Sequence, residues 1–414
     1  MPLSTPDVLV RRDVATTPAT RAAATAPIAL AVGGAGLLGL AWGGPIMVRM
    51  MGDGDFPYHV AAAQQFANTG TISVPHFLLQ VTLGALLATG LFASAAQAGL
   101  LFFCALYAAT AGLVCWYVAQ GTTRAGDLGA SVALALAVLM AAPILPREEP
   151  SLYLIGYFPP NAYHNPTLLI AKPLLILSFL SVVMALTRRG HAAMSEAALL
   201  VTPLVLLGLA KPNYLGCLIP VAAIGALGST VRRREVSWWR VAAVCAAAFA
   251  TLGVSYVLYR SEDLGFESAV IFAPLQVIAL YAPIDAATIA RSLAASLAFP
   301  LAVTAIWPRA AAADIRMRVA WAATLVGLFF SYFLAEGGGR LDHGNFLWTG
   351  QMAVFVLFVA SAAFVRERLQ LSSASAVMFG RALVVGVILL FHVESGLRHA
   401  AVKLEPSRWL TFWM

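Results

Sequence analysis

Charged residues are scarce in this sequence. Lysine, arginine, aspartate and glutamate together make up 11% of its 414 residues, whereas a soluble protein carries about 25%. Hydrophobic residues make up 60%, and the mean hydropathy is +0.83. Because each membrane span needs roughly 20 apolar residues, this composition leaves no room for a large soluble domain. We therefore expect an all-α polytopic membrane protein.

Several other features are missing. The four cysteines lie within apolar stretches and form no CxxC pair, which favours small buried side chains over a metal site. No P-loop, HExxH, GxSxG or Rossmann glycine pattern occurs. The net charge of +7 falls in short clusters and not in a stripe interleaved with aromatic residues, so nucleic acid is not an expected partner.

Basic clusters between the apolar runs predict the topology, because cytoplasmic loops are enriched in lysine and arginine. The clusters are Arg188/Arg189, Arg232/Arg233/Arg234, Arg309/Arg316/Arg318 and Arg366/Arg368. Segments poor in basic residues are placed outside: 50–75, 147–165, 260–285, 336–345, the turn at 211–214 and the tail after residue 393. We expect 11 or 13 spanning helices in the plasma membrane (the inner membrane of a bacterium), with a cytoplasmic N-terminus and an extracytoplasmic C-terminus.

One stretch does not fit a simple count of spans. Residues 76–146 contain three apolar runs, but an even number of crossings is needed if both 50–75 and 147–165 lie outside. One run is therefore expected to be split, re-entrant or too short to cross. All spans should be helices, since lipid cannot satisfy the open backbone of other structures.

The first outer segment carries the densest group of ionisable residues. It begins Asp53-Gly54-Asp55 and is expected to continue as a surface helix to about Asn68, ended by Gly70. Asp55 precedes Pro57 by two residues, so it could simply cap this helix. Alternatively, Asp53 and Asp55 could act as a general base or hold a metal ion, with His59 on the same side of the helix.

Polar residues in the other outer segments complete the predicted site. His164 and Asn165 come directly before Pro166, and Lys172 lies a little inside the following span, where a lysine should snorkel or pair. Lys211 sits at a turn and could hold a phosphate. The fourth segment supplies three glycines, Arg340 for a phosphate or carboxylate, and polar groups suited to sugar hydroxyls: Glu336, Asp342, His343 and Asn345.

This arrangement resembles the membrane-embedded GT-C glycosyltransferases, the class of the protein O-mannosyltransferases and aminoarabinose transferases. The similarity lies in Asp53-Gly54-Asp55 after the first span, in the basic turn at 184–190, and in the stretch 207–212 that ends in Lys211-Pro212. It also includes His76, which opens the second apolar run. It covers residues 27–215, which suggests a GT-C-like module over 27–230 and a second helical module over 231–414, with no separate soluble domain.

The resemblance implies a sugar donor linked to polyprenyl phosphate and transfer on the outer face. Asp55, with Asp53 second, would deprotonate the acceptor or help to hold a divalent cation such as Mg²⁺ or Mn²⁺. Lys211 and Arg340 would hold the donor phosphate, with Lys172 as a further candidate. His59, His76, His164 and Asn165 would orient sugar or phosphate. Expected partners are membrane lipid, the lipid-linked donor, and a glycan, lipid or protein acceptor.

Two other functions compete with this interpretation. An O-antigen-type polysaccharide polymerase or ligase would use arginine and histidine of a large outer loop, which the sequence does not contain. A transporter or flippase of lipid-linked glycans would show polar groups deep in the spans or repeated halves. The ionisable residues instead gather at one face, and the sequence shows no clear internal repeat.

Overall fold

The computed structural model describes residues 18–74, 76–120, 125–145, 156–188, 194–233, 235–259, 269–280, 284–338, 341, 344–371 and 375–404. These form an all-helical bundle with one pair of very short strands, as the composition predicts.

The first half of the chain contains α1 (Pro18–Met50), α2 (Phe56–Thr69), α3 (Phe77–Ala88), α4 (Ala95–Val118), α5 (Ala125–Met140), α6 (Pro166–Thr187), α7 (Met194–Ala210) and α8 (Leu215–Val231). The second half contains α9 (Trp238–Tyr259), α10 (Gln276–Ala279), α11 (Ala286–Ile306), α12 (Pro308–Ala313), α13 (Ile315–Phe333), α14 (Leu347–Leu371) and α15 (Ala376–Leu404). Strands β1 (Val270–Phe272) and β2 (Leu334–Glu336) pair antiparallel.

Eight helices within the described residues are long and apolar enough to cross a membrane: α1, α4, α6, α8, α9, α11, α14 and α15. Contacts at their ends show that α5, α7 and α13 run between the same two ends of the bundle. For α5, Asp127 pairs with Arg366 at one end, and Ala142, just past the other end, bonds to His392. The described chain therefore has eight candidate spans, fewer than the 11 or 13 predicted from the sequence, and three further helices that run between the same two ends of the bundle.

Helix α3 explains why the three apolar runs of residues 76–146 did not fit an even number of membrane crossings. Its 12 residues extend only about 18 Å. Its Gly84 packs against Phe66 of α2, and Gly99 near the start of α4 faces Met51. Helix α4 therefore starts at the end where α1 finishes, and α3 does not cross. As expected, one of the three apolar runs does not span, and α4 and α5 supply the two crossings.

The polar residues separate between the two ends of the bundle. We call the end with Asp53 and Asp55 the acidic end, and the opposite end the basic end. At the basic end, Arg240 pairs with Glu196 at 3.1 Å, and Arg316 pairs with Asp314 and Glu367. The described members of the four basic clusters all lie at this end, because the helices alternate in direction along the chain.

Helix α14 is the centre of the bundle. In its most apolar stretch 89% of the residues are buried, and it packs against α4, α5 and α6 as well as α11 and α13. The main apolar cluster accordingly includes residues from Ala35 to Leu389. The two predicted modules therefore share one core.

The end of α15 differs from the expectation that the chain leaves the membrane after residue 393. The helix continues to Leu404 and holds the non-helical chain that follows α5. The ring Nδ1 of His392 lies 2.6 Å from the carbonyl oxygen of Ala142, and the Ser395 hydroxyl donates to the carbonyl of Pro143 at 2.5 Å. Arg398 donates to the carbonyl of Leu145 at 2.8 Å. These bonds satisfy backbone groups that lipid could not.

Gly396 makes this contact possible. A methyl group added there would lie 1.5 Å from the Met140 carbonyl oxygen, whereas one added at Gly386 of the same helix would meet nothing within 4 Å. We therefore expect Gly396→Ala to lower the unfolding temperature of the detergent-solubilised protein by several degrees, since overpacking typically costs about 1–3 kcal/mol. Gly386→Ala is the matched control and should not lower it. Equal unfolding temperatures for both variants would contradict this packing.

The positions of the basic clusters predict which end faces the cytoplasm. In a background free of the four native cysteines, a membrane-impermeant maleimide applied to intact cells should label Asn68→Cys at the acidic end. It should label Arg233→Cys at the basic end only after the membrane is permeabilised. Labelling of position 233 in intact cells would reverse the orientation.

Candidate functional site

The loop between α1 and α2 is fixed against the segment that precedes α6. The backbone N–H of Asp55 donates to the carbonyl of His164 at 3.2 Å. Gly54 has φ +58°, and a methyl group added to it would lie 2.8 Å from the same carbonyl oxygen. The close approach and the left-handed backbone both explain why glycine separates the two acids.

The Asp55 carboxylate does not cap α2. Asp55 occupies the residue before the helix, but its side chain makes no capping bond. Instead its Oδ2 accepts a hydrogen bond from Nδ2 of Asn165 at 3.1 Å. Asp55 is an exposed residue, so its carboxylate is accessible to a ligand at the acidic end.

Asn165 connects this carboxylate to a buried lysine. Its Oδ1 accepts from the backbone N–H of Leu168 at 3.2 Å, which caps α6, and from the hydroxyl of Thr167 at 2.6 Å. The Nζ of Lys211 donates to the Thr167 oxygen at 3.1 Å. A continuous hydrogen-bonded chain therefore runs from Lys211 to Asp55.

Lys211 is 3% exposed and lies in the turn between α7 and α8. Its Nζ is 5.1 Å from the centre of the Trp348 ring, a cation–π contact. Burial lowers the pKa of this amine to about 8, and the carboxylates of Asp55 and Glu336 partly oppose that shift. At neutral pH the lysine is a buried cation with two acids near it.

Two predicted histidines lie in the same region and are neutral. Burial, with a smaller contribution from Lys211, lowers the pKa of His59 to about 4. Burial lowers the pKa of His164 to about 3, with contributions from Lys403, His399 and Lys211. Both rings can therefore serve as neutral hydrogen-bonding groups, and neither adds positive charge beside the lysine.

The fourth predicted segment joins the site through the turn that follows Lys211. Nδ2 of Asn213 donates to the backbone carbonyl of Asn345 at 3.0 Å, and Nδ2 of Asn345 donates to Glu336 Oε2 at 2.7 Å. The His164 ring lies 5.3 Å from Trp348, which opens α14. Three other predicted residues of this segment lie outside the described residues: Arg340, Asp342 and His343.

Lys172 lies deeper, within α6, and pairs there. Its Nζ donates to Asn161 Oδ1 at 2.7 Å and lies over the rings of Tyr107 and Phe355. Nδ2 of Asn161 in turn donates to two carbonyls at the end of α5. Lys172 therefore belongs to the packing of α5 against α6, and its assignment to the donor phosphate has no support from these contacts.

The remaining predicted residues are less closely connected. His76 comes directly before α3, and its role in substrate binding stays a prediction. Among the described residues, no three histidine, cysteine, aspartate or glutamate side chains gather as metal ligands. An ion held by Asp53 and Asp55 would take most of its ligands from substrate phosphate and water, as Mg²⁺ commonly does. The divalent cation also stays a prediction.

Four residues of this region were not assigned to the site from the sequence: Thr167, Trp348, His399 and Lys403. His399 stacks on Tyr163 with ring centres 5.3 Å apart, and Lys403 follows it by one helical turn. His399 and Lys403 are four residues apart at the end of an apolar run. That spacing is the one sequence signal that could have placed these two residues on a common helix face.

Comparison with protein-family models, with curated proteins and with solved structures finds no match to this chain. The geometry of the residues described above is therefore the basis for a proposed function.

The contact at Gly54 can be tested by its effect on stability. Gly54 and Gly70 both have positive φ, but a methyl group at Gly70 would meet nothing within 4 Å. Alanine should cost about 1–2 kcal/mol at either position through backbone strain, and more at Gly54 because of the clash with His164. We expect Gly54→Ala to lower the unfolding temperature more than the matched Gly70→Ala does. An equal loss would mean that the two segments do not touch.

Proposed function

We propose that this protein is a membrane glycosyltransferase that moves a sugar from a polyprenyl-phosphate-linked donor to an acceptor on the extracytoplasmic side of the plasma membrane. The observation that carries the proposal is the hydrogen-bonded chain from Lys211 to Asp55, which sets a buried cation and an accessible carboxylate within one polar network. The four residues of this network lie at the starts of α2 and α6 and in the turn between α7 and α8, at the end of the bundle opposite the basic clusters.

Asp55 is the proposed general base. Transfer of a sugar to a hydroxyl requires that the hydroxyl lose its proton as it attacks the anomeric carbon. The Asp55 carboxylate is exposed, is held by Asn165 and is not used as a helix cap. It can therefore accept that proton without breaking a bond that α2 needs. Asp53 lies two residues earlier and is the second candidate.

Lys211 is the proposed ligand of the donor phosphate. Negative charge grows on the phosphate as the bond to the sugar breaks, and a fixed cation in a water-poor site stabilises that charge. The amine is held by Thr167 and faces Trp348. His59 and His164, which are neutral, are placed to bond to sugar hydroxyls or phosphate oxygens. Trp348 offers a flat apolar surface of the kind on which a sugar ring packs.

One substitution distinguishes a general-base role of Asp55 from a helix-capping role. Asp55→Asn keeps the shape and the contact with Asn165 but cannot accept a proton. We expect sugar transfer from a lipid-linked donor to fall by about 10²–10⁴-fold, the usual cost of losing a general base. The assay compares membranes that contain equal amounts of each variant.

A matched control is available at the same end of the bundle. Asp285 does cap its helix, α11, by accepting from the N–H of Thr288 at 2.6 Å. Since asparagine caps about as well as aspartate, Asp285→Asn should leave transfer unchanged. Normal transfer by Asp55→Asn would exclude the base role. If Asp53→Asn alone abolished transfer, the role would move to Asp53.

The low pKa of Lys211 predicts the alkaline limit of the reaction. The amine is charged below about pH 8 and loses its charge as the pH rises through that value, so donor binding should weaken above pH 8. Bound phosphate favours the charged amine and moves the limit upward. The KM for the donor should therefore rise above pH 8, whereas Lys211→Arg, which stays charged, should remove the rise. A KM that rises equally in Lys211→Arg would assign it to another group.

A further inference from the structure

A second buried lysine lies at the acidic end, in the last turn of α15. Lys403 has no exposed surface, although it comes one residue before the end of its helix. His399, one turn earlier, stacks on Tyr163, and Ala400 packs into the apolar cluster at the end of α1. These contacts place Lys403 beside the loop that carries Asp53.

Each of the two buried lysines interacts with one of the two acids. Lys403 interacts electrostatically with Asp53, as Lys211 does with Asp55. Both ammonium groups also act on His164, whose carbonyl holds the loop between the acids. The histidine therefore lies within the field of two cations, one from the middle of the chain and one from near its C-terminus.

Burying two lysine cations near each other costs free energy unless an anionic group lies beside them. Taking a lysine out of water costs several kcal/mol, and two cations near one histidine repel each other. Ionisable residues buried in a membrane protein are rare and usually mark a binding site or ion path. Asp53 and Asp55 offset the two charges, and a phosphate placed between the lysines would offset them more directly.

We propose that Lys403 and Lys211 bind one phosphate headgroup between them, with His164 adding a hydrogen bond. The inference rests on the proposed function for the ligand class, a prenyl phosphate. In this arrangement the phosphate offsets the charge of both lysines. Asp55, held by Asn165, stays available to the acceptor. Lys403 binds the donor and takes no part in proton transfer.

The experiment measures binding without requiring catalysis. Geranyl phosphate is titrated into the detergent-solubilised full-length protein by calorimetry, with geraniol and inorganic phosphate as parallel ligands. We expect Lys403→Met to raise the Kd for geranyl phosphate about tenfold or more, because hydrogen bonds to charged groups contribute about 1.5–3 kcal/mol. Binding of inorganic phosphate should weaken in parallel, whereas any binding of geraniol should stay unchanged.

Two variants control for charge. Lys403→Arg keeps the cation and should stay within about threefold of the original Kd. Arg381→Met removes one positive charge from the exposed opposite end of α15 and should not change binding. A Kd unchanged by Lys403→Met, or a loss equalled by Arg381→Met, would overturn the inference.

A purely structural role for Lys403 is separated by a double substitution. If Lys403 only neutralises Asp53, then Asp53→Asn combined with Lys403→Met should fold and bind geranyl phosphate as well as Asp53→Asn alone. The inference expects the double variant to bind about tenfold more weakly than that single variant.

Tight binding by the original protein without sugar transfer would overturn the proposed function and leave this inference standing. If Lys403→Met left both sugar transfer and the binding of geranyl phosphate unchanged, this inference would be overturned and the proposed function would stand.

Discussion

A bilayer offers no hydrogen-bond partners, so every break in a helix must be satisfied from inside the bundle. The rest of this structure depends on that constraint. The clearest break follows α5, where the chain continues without helix from Ala141 to Leu145. Side chains of α15 bond to three carbonyls of this stretch, and the N–H of Ile144 donates to the carbonyl of Ala295 in α11. Neighbouring helices therefore satisfy the backbone groups that this break leaves without a helical partner.

The same requirement explains why the polar residues of the site are arranged as they are. Asn165 uses one half of its amide to cap α6 and the other half to hold Asp55. An aspartate could cap α6 equally well, but it would set a second carboxylate against Asp55, and like charges at that distance repel. The amide thus suits both neighbours. Because both halves are engaged, its orientation is fixed, and so is the direction from which Asp55 is held.

Much of the fold could be predicted from local signals. The surface helix ends at Thr69, before Gly70, as expected, and the turn at Lys211 separates α7 from α8. By contrast, composition could not show that α3 fails to cross, because its residues are as apolar as those of a span. Only its length and its packing on α2 reveal that. The role of Asp55 was also ambiguous, since its place before Pro57 fits a cap. The partner that holds it instead, Asn165, lies 110 residues away.

Helix α15 shows most directly why the remainder of the site escaped prediction. Its polar residues His392, Ser395, His399 and Lys403 follow one another at intervals of three, four and four, so they share one helix face. Averaged over a window, they lower the hydropathy and resemble the start of a polar tail. In the folded chain the same face is buried against the α5 extension and the loop of Asp53, while the other side of the helix meets lipid. Average hydropathy cannot distinguish a tail from a two-faced helix, because the difference lies in direction and not in composition.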